Sequence, residues 1–138
     1  MKEIELSRGS INVQVHHHHA EWNLDRLLDF AERINPKRAF LFVSKVLGKH
    51  IPVPPSLMKR SYEDLADLIP KDLQGPICVV GMAETAVGLG AGVYRELKKD
   101  YGQNAIFLTT TRHPVSTLPT LGLFLEEHSH AQDQFILS

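Results

Sequence analysis

Cysteine is nearly missing. Cys78 is the single one in 138 residues, so the chain cannot build a disulfide framework or a thiolate zinc site, and the expected compartment is the cytoplasm. Neither sign of charge is in excess: Lys plus Arg number 15 against 16 Asp plus Glu, a net charge of -1. A general attraction to nucleic acid or to an anionic membrane surface is therefore not expected, and any anion site must be local. No run approaches the roughly 20 apolar residues that span a bilayer. The first residues, with Lys2, Glu3 and Glu5, have no apolar signal-peptide core. No serine sits on a nucleophile elbow, which removes a Ser-His-Asp triad. Internal repeats are absent too, and the one biased tract is His16 to His19.

A hydrophobic content of 43% suffices for one ordinary core, so residues 1–138 are expected to form a single domain, with 1–20 an N-terminal strand and a histidine-rich loop. Ile11 to Val15 alternate as a half-buried strand does. Asn23 is a good helix cap, and Leu24, Leu27, Leu28 and Ala31 recur at helical spacing, predicting an amphipathic helix that ends before Asn35-Pro36. Ala39 to Val43 is apolar throughout, the pattern of a strand covered on both faces. Ile51 to Pro55 must be extended because of its prolines. Ser61 and Asp64 resemble a capping box for a short helix ending near Pro70. Pro76 to Val80 and Ala105 to Thr109 read as further buried strands, with a helix from about Val87 to Lys99 between them and a turn at Asp100-Tyr101-Gly102. Residues 114–121 read as loop. This alternation predicts an α/β fold with a parallel sheet flanked by helices.

In such a sheet, ligands bind outside the carboxyl ends of the strands. Three polar segments are expected there: Ser44 to His50, Met82 to Gly90 and Thr110 to His113. The middle one opens Gly81-Met-Ala-Glu-Thr-Ala-Val-Gly-Leu-Gly-Ala-Gly-Val-Tyr94, where glycines let backbone N–H groups approach a ligand and a helix N-terminus favours an anion. Its spacing is neither a Walker A loop nor a dinucleotide Gly-x-Gly-x-x-Gly. Two readings stand side by side: an anion cradle, or glycines at 88, 90 and 92 that only allow close helix-on-sheet packing. Glu84 could orient a hydroxyl, bind magnesium or cap the helix. Ser44, Lys45, Lys49 and His50 on the first loop are candidate substrate-binding residues, and Arg112 and His113 on the third could flank the same anion, Arg112 as a bidentate clamp. Glu126-Glu127-His128-Ser129-His130 has metal-ligand residue types, and His16 to His19 could add imidazoles. A run of histidines in a loop is more often an adventitious metal binder, so no metal ligands are assigned.

Asn35 to Val53, Val80 to Gly90, Thr110-Thr-Arg-His113 and Glu126 to Ala131 together resemble, in this order, the phosphoribosyltransferase-like proteins encoded in bacterial tellurite and stress resistance gene clusters. The resemblance covers roughly residues 30–131. It implies a type I phosphoribosyltransferase fold, which is Rossmann-like and binds phosphoribosyl pyrophosphate with Mg²⁺ before transferring ribose 5-phosphate to a base-like acceptor. Carried onto this chain, the pyrophosphate loop falls on Met82, Ala83, Glu84, Thr85, Ala86, Val87 and Gly88. The catalytic cover falls on Arg112, His113, Glu127 and His128. Catalysis in such enzymes is largely positional and electrostatic.

One departure is substantial. The family's ribose-phosphate signature, an apolar strand followed by two acids and a Thr/Gly-rich turn, has no good copy. Leu123 to Glu127 imitates its first half, but His128-Ser129-His130 replaces the turn, and Glu63-Asp64 is expected in a helix. The chain therefore reads as the amino-terminal part of a longer protein, incomplete at its carboxyl end, with Phe135 to Ser138 a strand cut short. The expected partners are a small-molecule substrate and, as one option, a second copy in a homodimer. Two alternatives remain: a non-catalytic binding or assembly module of the same fold, and a histidine-based metal-binding stress protein.

Overall fold

The computed structural model describes residues 2–17, 19–34, 40–127 and 132–138. The chain divides into two compact units, residues 1–61 and 62–138.

In the first unit, β1 (Lys2–Leu6) and β2 (Gly9–Val13) form an antiparallel hairpin, Lys2 opposite Val13. Lys2 pairs with Asp25, and Ser7 donates through both its backbone N–H and its hydroxyl to Glu32. Asn23 caps a helix as its residue type predicts, its side chain accepting from the Arg26 N–H at 2.9 Å. The helix itself, α1, is a single turn, Leu24–Leu27. This corrects the longer helix expected up to Asn35. From Leu28 the chain becomes β3 (Leu28–Glu32), antiparallel to β4 (Phe40–Ser44). Leu28 and Phe30 also satisfy a period of two, and the cross-strand Phe30–Phe42 contact, an edge-to-face pair with centroids 5.2 Å apart, rewards the strand. β4 is likewise not the doubly covered parallel strand that its composition suggests. Phe40 and Phe42 are 40% and 56% exposed, while Val43 and, just beyond, Val46 are buried. Trp22 completes the buried set, with the Arg26 guanidinium 5.5 Å from its ring centroid.

Residues 52–54 carry no regular secondary structure, whereas Pro55, expected to be extended with Ile51 to Pro54, instead opens α2 (Pro55–Asp67). Pro54 O accepts from the Leu57 and Met58 N–H groups, which places Pro55 in the first helical position that proline favours. Ser61 is therefore not a cap. It lies mid-helix, buried, its hydroxyl donating back to Met58 O at 2.7 Å. The division between the units falls within this helix.

The second unit contains β5 (Ile77–Gly81), α3 (Val87–Tyr101), β6 (Ala105–Thr111), β7 (Thr120–Leu125) and β8 (Asp133–Leu137), with sheet order β5-β6-β8-β7. β5, α3 and β6 form a parallel strand-helix-strand unit, Ile77 opposite Ala105. The expected turn is present: Gly102, at φ +54°, closes α3 by donating its N–H to Lys98 O. β8 runs antiparallel to both β6 and β7, so the sheet is mixed, not parallel throughout. β7 also occupies residues that read as loop. β5 is half-covered: Val79 and Gly81 face α3, whereas Cys78 and Val80 point the other way and are exposed, against the buried strand expected from its apolar run.

α3 packs very closely. A Cβ on Gly90 would lie 3.0 Å from the Gly81 Cα and from the Phe107 ring, and one on Gly92 would lie 2.3 Å from the Tyr62 ring. Leu97 is 1% exposed at the centre of this packing. Tyr94 stacks on Phe107 with centroids 5.7 Å apart.

Candidate functional site

β5 ends at Gly81 and α3 begins at Val87, leaving Met82 to Ala86 as a tight connection closed by the Ala86 N–H donating to Met82 O at 3.0 Å. The Ala83–Glu84 peptide is cis. No side chain caps α3 at Ala86, and its first turn holds no acidic residue. In helix geometry the N–H groups of Val87, Gly88 and Leu89 have no acceptor one turn back, so this end carries positive potential that no acidic residue of the first turn offsets. Gly88 differs from its neighbours in the motif. A Cβ there would meet nothing within 4 Å, so packing accounts for Gly90 and Gly92 and leaves Gly88 open toward solvent. Glu84 and Thr85 are exposed, and Met82, Ala83 and Ala86 are half-buried.

The carboxyl end of β6 lies beside this loop. Thr110, 3% exposed, accepts the Ala83 N–H at 2.7 Å and donates to the Gln134 amide oxygen at 2.6 Å. One Arg112 Nη stands 3.8 Å from a Glu84 carboxylate oxygen, a separation of charge attraction without a hydrogen bond. The Arg112 Nε–H is buried and has no partner among the described residues. His113, next along, is exposed, and its carbonyl accepts from the Thr111 hydroxyl at 2.6 Å.

The strand register brings a further segment to the same edge. Thr111, the last residue of β6, lies opposite Phe135, while β7 continues until Leu125 lies opposite Asp133. The β7–β8 hairpin therefore projects beyond the carboxyl end of β6. Glu127, exposed, belongs to its connection, and Glu126 donates its N–H to Gln132 O at 2.8 Å there. His128, the fourth residue assigned to the catalytic cover, lies outside the described residues.

Two of the three polar segments are thus neighbours, with the hairpin connection added at their edge. The remaining one, Ser44 to His50, belongs to the first unit. Ser44 is engaged locally, its hydroxyl oxygen accepting from the Val46 and Leu47 N–H groups, both at 3.2 Å. Lys45 donates its backbone N–H to Leu27 O, and Lys49 and His50 are exposed. Among the described residues, no three His, Cys, Asp or Glu side chains gather as a metal set. Nor is any described helix long and apolar enough to cross a membrane.

Sequence reasoning missed Gln134. A buried glutamine and a surface glutamine look alike in a sequence, and β8 contributed only its last residues as a strand signal.

A β-α-β unit with an uncapped helix end, a buried arginine donor and a projecting hairpin at one sheet edge defines a mixed α/β protein. A family model described as phosphoribosyl transferase matches residues 27–138, and the chain belongs to that family. No curated protein and no solved structure matches it.

Proposed function

We propose that the edge formed by Met82 to Gly88 and Arg112 binds phosphoribosyl pyrophosphate, and that the chain serves the transfer of ribose 5-phosphate to a base-like acceptor in a type I phosphoribosyltransferase fold. The observation that carries this reading is Arg112. A buried N–H without an acceptor is costly, and a guanidinium so placed beside an uncapped helix end gains most from a phosphate oxygen. Gly88 supports the reading, since its open side leaves room for a diphosphate against the first N–H groups of α3.

The loop Met82, Ala83, Glu84, Thr85, Ala86, Val87 and Gly88 then holds the pyrophosphate. Arg112 compensates its charge as it departs, and His113, Glu127 and His128 cover the sugar. Magnesium usually takes one or two carboxylates plus substrate phosphates. Glu84, its side chain 77% exposed at the loop, fits that demand, and the bound ion would neutralise the leaving group. In this scheme Glu84 would hold the cation, and the Arg112 guanidinium would face a phosphate oxygen.

Calorimetry of the purified chain with phosphoribosyl pyrophosphate and Mg²⁺ tests the proposal. Binding is expected, and Arg112→Ala should weaken it roughly 10- to 100-fold, the worth of one charge-assisted contact. Absence of heat at millimolar ligand would sink it. Pyrophosphate release with candidate bases separates an enzyme from a binding module.

A further inference from the structure

We infer that Gln134 is a positioning residue for the loop at Met82 to Gly88, acting through Thr110, and that this relay couples the β7–β8 hairpin to the loop. The inference rests on the reading of that loop as the diphosphate site.

Ala83 N–H can only donate, so the Thr110 oxygen must accept from it, and the Thr110 proton is then directed away, onto an acceptor. That acceptor is the Gln134 amide oxygen, at 2.6 Å. The direction of the whole chain of bonds is thus set by the backbone: Ala83 N–H to Thr110, Thr110 O–H to Gln134. Both side chains are almost fully enclosed, 3% and 1% exposed, where water cannot substitute for a missing partner and an unmet donor is costly. Gln134 lies on β8 within the projecting hairpin, Thr110 on β6, and Ala83 in the loop, so three segments are joined by two short bonds. A displacement of the hairpin relative to β6 breaks the second bond and releases the hydroxyl that holds Ala83 in place. Packing alone would not require this arrangement, because a valine fills the space of Thr110 and a methionine that of Gln134.

The test uses the full chain, inorganic pyrophosphate with Mg²⁺ in a calorimeter, and amide exchange at Ala83 followed by NMR. Thr110→Val and Gln134→Met are each expected to weaken pyrophosphate binding roughly tenfold, and the double variant no further than either alone, the mark of one shared interaction. Thr110→Ser, which keeps the hydroxyl, should bind within about threefold of the parent. The Ala83 amide should exchange faster in Gln134→Met, although that change lies at the far end of the relay. Multiplying losses in the double variant, or unchanged exchange at Ala83, would overturn the inference. Should Gln134→Met not fold, Gln134→Asn withdraws the amide by one methylene and gives the same comparison. If the parent itself binds no pyrophosphate, the ligand reading fails, and the exchange comparison alone decides the positioning role, faster exchange upholding it and unchanged exchange ending it.

Discussion

At Gly90 an added methyl would press on backbone and on an aromatic ring from 3.0 Å, while at Gly88, two residues earlier, it would touch nothing. The two positions therefore separate packing from binding. Gly90→Ala should lose about 1–3 kcal/mol of stability, since the Gly81 Cα cannot yield as a flexible side chain would. Gly88→Ala should melt within about 1 kcal/mol of the parent, with any change upward because alanine favours helix. The same variant should bind phosphoribosyl pyrophosphate distinctly less well, its methyl standing where the diphosphate would approach. Thermal melts beside calorimetry check both, and a Gly88→Ala protein with undiminished affinity would count against the cradle. The sequence could not divide these glycines, because spacing alone does not say which one faces a strand. Gln134 was equally illegible, whereas Arg112 at the end of an apolar strand was legible from position and charge.

Among the elements, the hairpin β1–β2 is held to its surroundings by polar bonds whose strength depends on pH. Hydrogen bonds from the Ser7 hydroxyl and N–H hold the Glu32 carboxyl below its ordinary value, and a bond from Lys2, with its charge, does the same for Asp25. Both groups have lowered values in the folded chain, so their contribution is present above the ordinary carboxylate range and is lost as pH falls through the folded values. Amide protection of β1 should accordingly decline below about pH 4, and Glu32→Gln should flatten that decline. Exchange that is insensitive to pH, after correction for its intrinsic rate, would remove these carboxylates as the cause. At the other end of the range, Lys71 is bonded to Asp100 at 2.5 Å and to Asp67, which raises its value. The lysine's contribution is present below its ordinary value and is lost as pH rises through the raised one. The packing of α3 predicts that Gly92→Ala is more damaging than Gly90→Ala, because Tyr62 would have to leave a position where a Cβ stands 2.3 Å away. Melting temperatures of the two variants compare them directly. Secondary structure was readable where one signal dominated, as in the strand, glycine-rich turn and helix of β5 and α3. It failed at Leu24 to Glu32, where helical and strand periods coincide, and at the start of β7, where Thr120 and Leu121 fall in the proline-bearing stretch 114–121 that reads as loop.

For the molecule as a whole, what was legible is the β5-α3-β6 half of the second unit and the meeting of the Met82 and Thr110 segments at its edge. The antiparallel half was not, since parallel alternation stops at β6 and the sequence does not say where the next strand will insert. That insertion governs assembly. β8 lies between β6 and β7 although it follows both in the chain, so β7 has no place in the sheet until β8 has docked. The β7–β8 hairpin pairs Leu125 with Asp133, eight residues on, and Thr120 with Leu137, seventeen on, whereas Ile77 of β5 pairs with Ala105, twenty-eight on. The hairpin is thus expected to form early and to dock on β6 as a unit. Pulse-labelled amide exchange should therefore protect the β7–β8 pairs no later than those of β5 and β6. Because Thr110 holds Ala83, and its second partner Gln134 arrives only when the hairpin docks on β6, the loop at Met82 to Ala86 would be the last part of the unit to be fixed. A newly made chain would carry its hairpin and its strand-helix-strand core before that loop took its final form.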